Sequence, residues 1–147
     1  MMLYFAYGPY MERAQMKRLC KESHFTSAAR LYDHQLIFPR RSDLWGGGVA
    51  GLKTAPGKVV EGVLYEVGEA DLKVLDRVED HPRSSLRQPV TVETFTGEKV
   101  KAFTYFAIGT GSYPPSRRYM EKLISGAEEH DLSDPYIAQL EAIRTLG

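Results

Sequence analysis

The chain has 147 residues, 43% of them apolar, and 19 Lys+Arg balance 19 Asp+Glu. That length suits one domain, residues 1–147, with a real core. The charge balance excludes a nucleic-acid binder that relies on a basic surface. The apolar runs are too short for a membrane helix, and the single cysteine, Cys20, excludes an intrachain disulfide or multi-cysteine metal site. His24, His34, His81 and His130 show neither HxH nor HxxxH spacing, so no metal is expected. The N-terminal residues lack a basic stretch followed by a long apolar one, so no secretory signal is expected. A cytoplasmic protein, monomer or homodimer, is the expectation.

In chain order, Leu3–Tyr7 reads as an apolar strand running into a Gly8-Pro9-Tyr10-Met11 turn. Met11 to Cys20 carries a rough helical stripe. Ala28 to Phe38 reads as a strand bent near Asp33-His34, and the basic Pro39 to Leu44 as a loop. Val49–Leu52 and Val59–Val67 read as strands separated by an Ala55-Pro56-Gly57-Lys58 turn. Glu69 to Val78 has Leu72, Leu75 and Val78 at helical spacing and acids in its first turn, and Pro82 discourages continuation beyond Glu79. Gln88–Phe95 and Val100–Ile108 form a hairpin around Thr96-Gly97-Glu98-Lys99. Ser116 can cap a helix over 117–129, and Ser133-Asp134-Pro135 starts a last helix running to about Thr145. Strands joined by short turns, mixed with helices, predict an α+β fold: a small, curled, largely antiparallel sheet with surrounding helices.

Two places can carry chemistry. Glu79, at the end of an amphipathic helix, can turn inward to a cavity edge, where lost water would raise its pKa and suit it to general acid/base work. Asp76, Glu79 and Asp80 equally fit a solvated helix face. The strand–turn–helix at Tyr7-Gly8 can aim backbone amides at a carboxylate; it also fits an ordinary turn with Pro9 at the first helical position. Gly46-Gly47-Gly48 lacks the phosphate-loop pattern and reads as a loop against the core. Ser84 and Ser85 near His81 lack a nucleophile elbow, and Cys20, on the apolar stripe, reads as a buried small residue. Tyr113 to Tyr119 reads as a rigid loop entering a capped helix, and also suits a pocket wall.

Together these segments resemble the gamma-glutamylcyclotransferase (AIG2-like) family. Phe5-Ala6-Tyr7-Gly8 resembles the start of its FAYGSN turn, and Trp45-Gly46-Gly47 with Val49-Ala50 its WHGGIA-like region. Glu61 to Tyr65 is similar to its GV(L/V) strand, Leu75 to Glu79 to its LDxxE segment, and Pro114 to Tyr119 with Ile124 to Ala127 to its PPSxxY…GA segment. Pro135 to Ile143 is similar to its closing helix. The resemblance implies a small mixed β-barrel ringed by helices that acts on a small gamma-glutamyl compound. The substrate's α-amine would attack its own γ-carbonyl, yielding 5-oxoproline and a free amine, with no metal or organic cofactor. It implies Glu79 as the catalytic group and Tyr7, Gly8, Pro9, Tyr10, Met11 and Tyr119 as substrate-binding residues. The chain departs from the pattern at Pro9-Tyr10, where the family has Ser-Asn, at Asp80, where it has Gly, and at Leu86, where a Tyr is expected. These departures suit an altered substrate, and they motivate the alternative of a non-catalytic module that binds a small metabolite on the same fold.

Overall fold

The computed structural model describes residues 1–146. Five strands close into a barrel in the order β1-β3-β2-β4-β5: β1 (Met2–Ala6), β2 (His24–Ser42), β3 (Gly47–Val67), β4 (Ser85–Thr94) and β5 (Lys99–Ala107). All neighbours are antiparallel except β1 and β5, which meet in parallel at Tyr4 and Phe103. A 3-10 turn, Pro9–Met11, follows β1 and leads into α1 (Arg13–Leu19). The remaining helices are α2 (Glu69–Val78), α3 (Arg117–Glu129) and α4 (Asp134–Glu141). No helix among the described residues is long and apolar enough to cross a membrane.

The expected α+β barrel is present, and the ends of α2 and α3 fall where the capping signals put them. Ser116 accepts the Tyr119 amide and Ser133 the Tyr136 amide, each filling one of the unpaired donors of a first helical turn. The last helix stops at Glu141, short of Thr145.

Two expectations about the strands are corrected. Residues 39–42 are not loop: β2 continues through Ser42. Proline lacks an N–H for the ladder, but the register between β2 and β3 slips here, from Ile37–Gly51 to Arg40–Val49, so Phe38 and Pro39 together face Ala50. The bulge absorbs Pro39, and the pairing resumes. The second correction concerns Ala55 to Lys58, which bulges but does not divide β3. His34 pairs with Thr54 and Tyr32 with Val59, leaving only Asp33 opposite the excursion. Asp33 has φ 61° and Gly57 φ 82°, and the Gly57 amide donates to Asp33 Oδ1 at 3.0 Å. Glycine adopts that conformation without a Cβ penalty, and aspartate tolerates it better than most residues.

The core runs from the barrel interior to the faces covered by helices. Phe5, Val63, Leu64, Val67 and Val92 supply it from the strands, and Met11, Met16, Leu75 and Leu123 from the turn and helices, all buried. Glu61, in the middle of β3, is buried as well. Its carboxylate accepts from the Ser133 amide and hydroxyl, both at 2.8 Å, and from Arg30 Nε at 3.3 Å. Three donors offset the water that a buried carboxylate gives up, and here they fix the start of α4 against the sheet.

Candidate active site

A cavity of about 240 Å³ opens where β1 hands over to the 3-10 turn. Tyr7, Gly8, Pro9 and Tyr10 form one side, Glu79 and Asp80 the end of α2, and Tyr119 the start of α3. Tyr4, Thr104 and Tyr105 line it from β1 and β5, and Arg40, Ser42, Trp45 and Ala50 from β2, β3 and the turn between them. The fold thus brings together the two places that the sequence marked separately.

Glu79 is the C-cap of α2, and its amide donates to the Leu75 carbonyl at 2.9 Å. Leu75 anchors the last turn in the core, while Val78 is exposed at the cavity rim. Half-buried, the Glu79 carboxyl is raised from 4.5 to about 7 by loss of water, with the Arg40 guanidinium pulling the other way. A carboxyl group that titrates near neutrality can take a proton and return it. Phenols surround it. Burial, and next to it the Glu79 charge, push Tyr4, Tyr7 and Tyr10 up, Tyr10 to about 12, so each stays neutral.

Asp80 follows Glu79 in sequence but turns away from it. It accepts from Ser84 Oγ at 2.6 Å and from Arg83 Nη2 at 2.8 Å, and these bonds hold its carboxyl below the usual range. It therefore does not raise Glu79. Its φ of 54° is left-handed, a conformation natural to glycine and reachable by aspartate. Leu86 lies on β4 opposite Phe106, outside the cavity lining.

The residues expected to bind substrate divide. Tyr7, Gly8, Pro9, Tyr10 and Tyr119 line the cavity; Met11 does not. Met11 is fully buried, its amide donates to the Gly8 carbonyl at 3.1 Å, and its own carbonyl accepts from the Tyr65 hydroxyl at 2.8 Å. Closing the 3-10 turn uses up that donor, and Pro9 has none. The Gly8 and Tyr10 amides have no protein acceptor among the described residues. The Tyr7 hydroxyl donates to the Tyr105 carbonyl, so Tyr7 serves as wall and tie. Tyr119 differs: its oxygen accepts the Ala50 amide at 2.8 Å, leaving its own proton to donate. The bulge at Phe38-Pro39 makes this possible by placing two residues of β2 against Ala50.

Three features were missed from sequence. Arg40 lies in the stretch read as loop. Asp76, read as part of a solvated face, accepts from the Tyr105 hydroxyl at 2.7 Å and from Arg87 Nη1. Burial pushes its carboxyl up, but those bonds outweigh it and hold it low. The third is the β5 wall, for which the alternation of Thr104 and Tyr105 carried no distinguishing signal. Of the glycines read as loop, only Gly46 lies in the turn; Gly47 and Gly48 open β3, where the backbones approach closely: a Cβ on Gly48 would strike the Tyr113 carbonyl, and the Gly48 amide donates to Pro114 O at 3.0 Å.

Residues 4–124 match the family model described as "Gamma-glutamyl cyclotransferase, AIG2-like". The chain belongs to this family. It is 33% identical to a gamma-glutamylcyclotransferase from Bos taurus over 96% of this chain and 78% of that protein. A protein of the same name from Homo sapiens is 31% identical with the same coverage. A solved structure described as a gamma-glutamyl cyclotransferase superposes with a TM-score of 0.94 at 29% identity, covering 99% of this chain and 89% of the other. On this gamma-glutamyl cyclotransferase fold, the cavity gathers Tyr7-Gly8, the glutamate of Leu75–Glu79 and the tyrosine of Pro114–Tyr119 around one space.

Proposed function

We propose that this chain is a gamma-glutamylcyclotransferase that converts a small gamma-glutamyl amine or amino acid into 5-oxoproline and the free amine. The observation that carries the reading is Glu79, a carboxyl raised to about 7 at the wall of a phenol-lined cavity. In the proposed reaction Glu79 takes a proton from the substrate's α-ammonium. The freed nitrogen attacks the γ-carbonyl carbon, a five-membered lactam forms, and the bond to the leaving nitrogen breaks. The same carboxyl gives its proton to that nitrogen, then takes the second proton shed by the ring nitrogen and passes it to the departing amine, which leaves as an ammonium, so atoms and charge balance. Attack within one molecule needs only that the chain be folded on itself, which a closed cavity favours. The Gly8 and Tyr10 amides and the Tyr119 hydroxyl are the donors available to a developing oxyanion. The reading treats 1–147 as one catalytic unit in the cytoplasm, consistent with a lone, buried Cys20.

The test is 5-oxoproline release from a panel of gamma-glutamyl amino acids and amines. Glu79→Gln should lower turnover by about 10²- to 10⁴-fold, the usual share of a positioned acid/base. Full turnover in Glu79→Gln would remove Glu79 from the reaction. Thermal stabilisation by panel members without any turnover would favour the metabolite-binding alternative.

A further inference from the structure

Arg40 lines the cavity, yet no group among the described residues accepts a hydrogen bond from its side chain. Its Nε is shut off from solvent without a hydrogen-bond partner, and it makes no ion pair among the described residues. A half-buried guanidinium whose Nε is out of water without an acceptor carries a cost. It is also the one cation among the cavity-lining residues. The cavity's two carboxylates differ in availability: Asp80 is occupied by Ser84 and Arg83, whereas the Glu79 carboxyl has no hydrogen-bonding partner among the described residues. The space therefore presents one free cation and one free acid.

That pair matches the α-amino-acid end of a gamma-glutamyl group, which carries an ammonium and a carboxylate on one carbon. The γ-carboxyl is already an amide and has no charge. The neighbouring turn is poorly equipped to neutralise a carboxylate alone, since Pro9 lacks an N–H and the Met11 amide is bonded to Gly8. We propose that Arg40 is the counter-ion for the substrate's α-carboxylate, gripping it through a guanidinium fork while Glu79 faces the α-ammonium. This rests on the cyclotransferase reading and narrows its substrate class. With its free charges committed to the glutamyl end, the cavity has no charged partner for the leaving group. Gamma-glutamyl amines and gamma-glutamyl amino acids should therefore both be accepted.

Calorimetric binding to Glu79→Gln, with and without Arg40→Met, tests this on three compounds: gamma-glutamyl-alanine, gamma-glutamyl-ethylamine, and 4-aminobutanoyl-alanine, which lacks only the α-carboxylate. Arg40→Met should weaken the first two alike, by roughly 10- to 100-fold, as expected for lost charged hydrogen bonds. It should leave the third unchanged, and Arg40→Lys should recover part of the loss. Circular-dichroism melts establish that each variant is folded, and Arg40→Gln replaces Met if that variant is not. A loss on gamma-glutamyl-alanine and 4-aminobutanoyl-alanine but not on gamma-glutamyl-ethylamine would assign Arg40 to the leaving amino acid and overturn the proposal. An equal loss on all three, or no loss on any, would overturn it as well. Turnover by the wild-type chain is read separately: binding that follows the expected pattern without 5-oxoproline would sink the cyclisation but leave Arg40's role standing.

Discussion

Glu79 holds its proton more tightly in the folded chain than in the unfolded one, where its pKa returns to about 4.5. The stability this confers is complete below the unfolded value and is lost as pH rises through about 7, because the folded chain must then hold a desolvated charge. Glu79→Gln, neutral throughout, should match the wild type near pH 4. At pH 8.5 it should be more stable by up to about 3 kcal/mol, from 1.36 kcal/mol per pKa unit, as read by urea unfolding across pH. Equal stabilities at both pH values would show that the carboxyl is not desolvated. At this scale Glu79 was legible, because its position one turn after Leu75 at a helix end is a local property. Arg40 was not: a proline before a basic pair reads as a break. Only the partner strand, two residues against one at Ala50, turns that break into a bulge.

At the scale of elements, α2 was readable to its last residue from spacing and first-turn acids, but what steadies it was not. Asp76, one turn before Glu79, is held by Tyr105 on β5 and Arg87 on β4. Those partners are brought in by sheet pairing at separations that no local pattern contains. Asp76→Asn should cost about 1–3 kcal/mol at pH 7. Because the Asp76 pKa is lowered in the fold, the gap should close as pH falls below the unfolded value of 3.8. Urea denaturation at pH 7 and pH 3 checks both parts. The helix α3 makes its own demand on the turn at Pro9–Met11. A Cβ on Gly126 would lie 2.8 Å from Met11 Cβ and 3.1 Å from the Glu12 amide. Gly126→Ala gains up to about 1 kcal/mol of helix propensity but overpacks by about 1–3 kcal/mol. It should lower Tm modestly and raise KM by displacing the turn. An unchanged KM with a lowered Tm would separate the turn from substrate binding.

The whole barrel closes at a seam with one paired position, Tyr4 with Phe103. Side chains supplement it: Thr104 Oγ1 donates to the Phe5 carbonyl at 2.7 Å, and the Tyr7 hydroxyl to the Tyr105 carbonyl. Closure was expected only through resemblance, since alternation along single strands says nothing about which edges meet. Thr104→Val keeps the shape and leaves the buried Phe5 carbonyl without its donor, so it should cost about 1–3 kcal/mol in denaturation. A loss under 0.5 kcal/mol, the range of ordinary surface changes, would mean that the seam holds without it.

That seam also sets an order in time. The long β2–β3 pair joins residues adjacent in the chain, whereas Thr104 meets Phe5 across a separation of 99 residues. Loop closure favours the near contact first. The cavity, bounded by β1 and β5, would then be the last part of the molecule to form during folding. Stopped-flow refolding of Thr104→Val should show an almost unchanged folding rate, with the lost stability appearing as faster unfolding. A nascent chain of this kind would bury most of its apolar surface before it could bind anything.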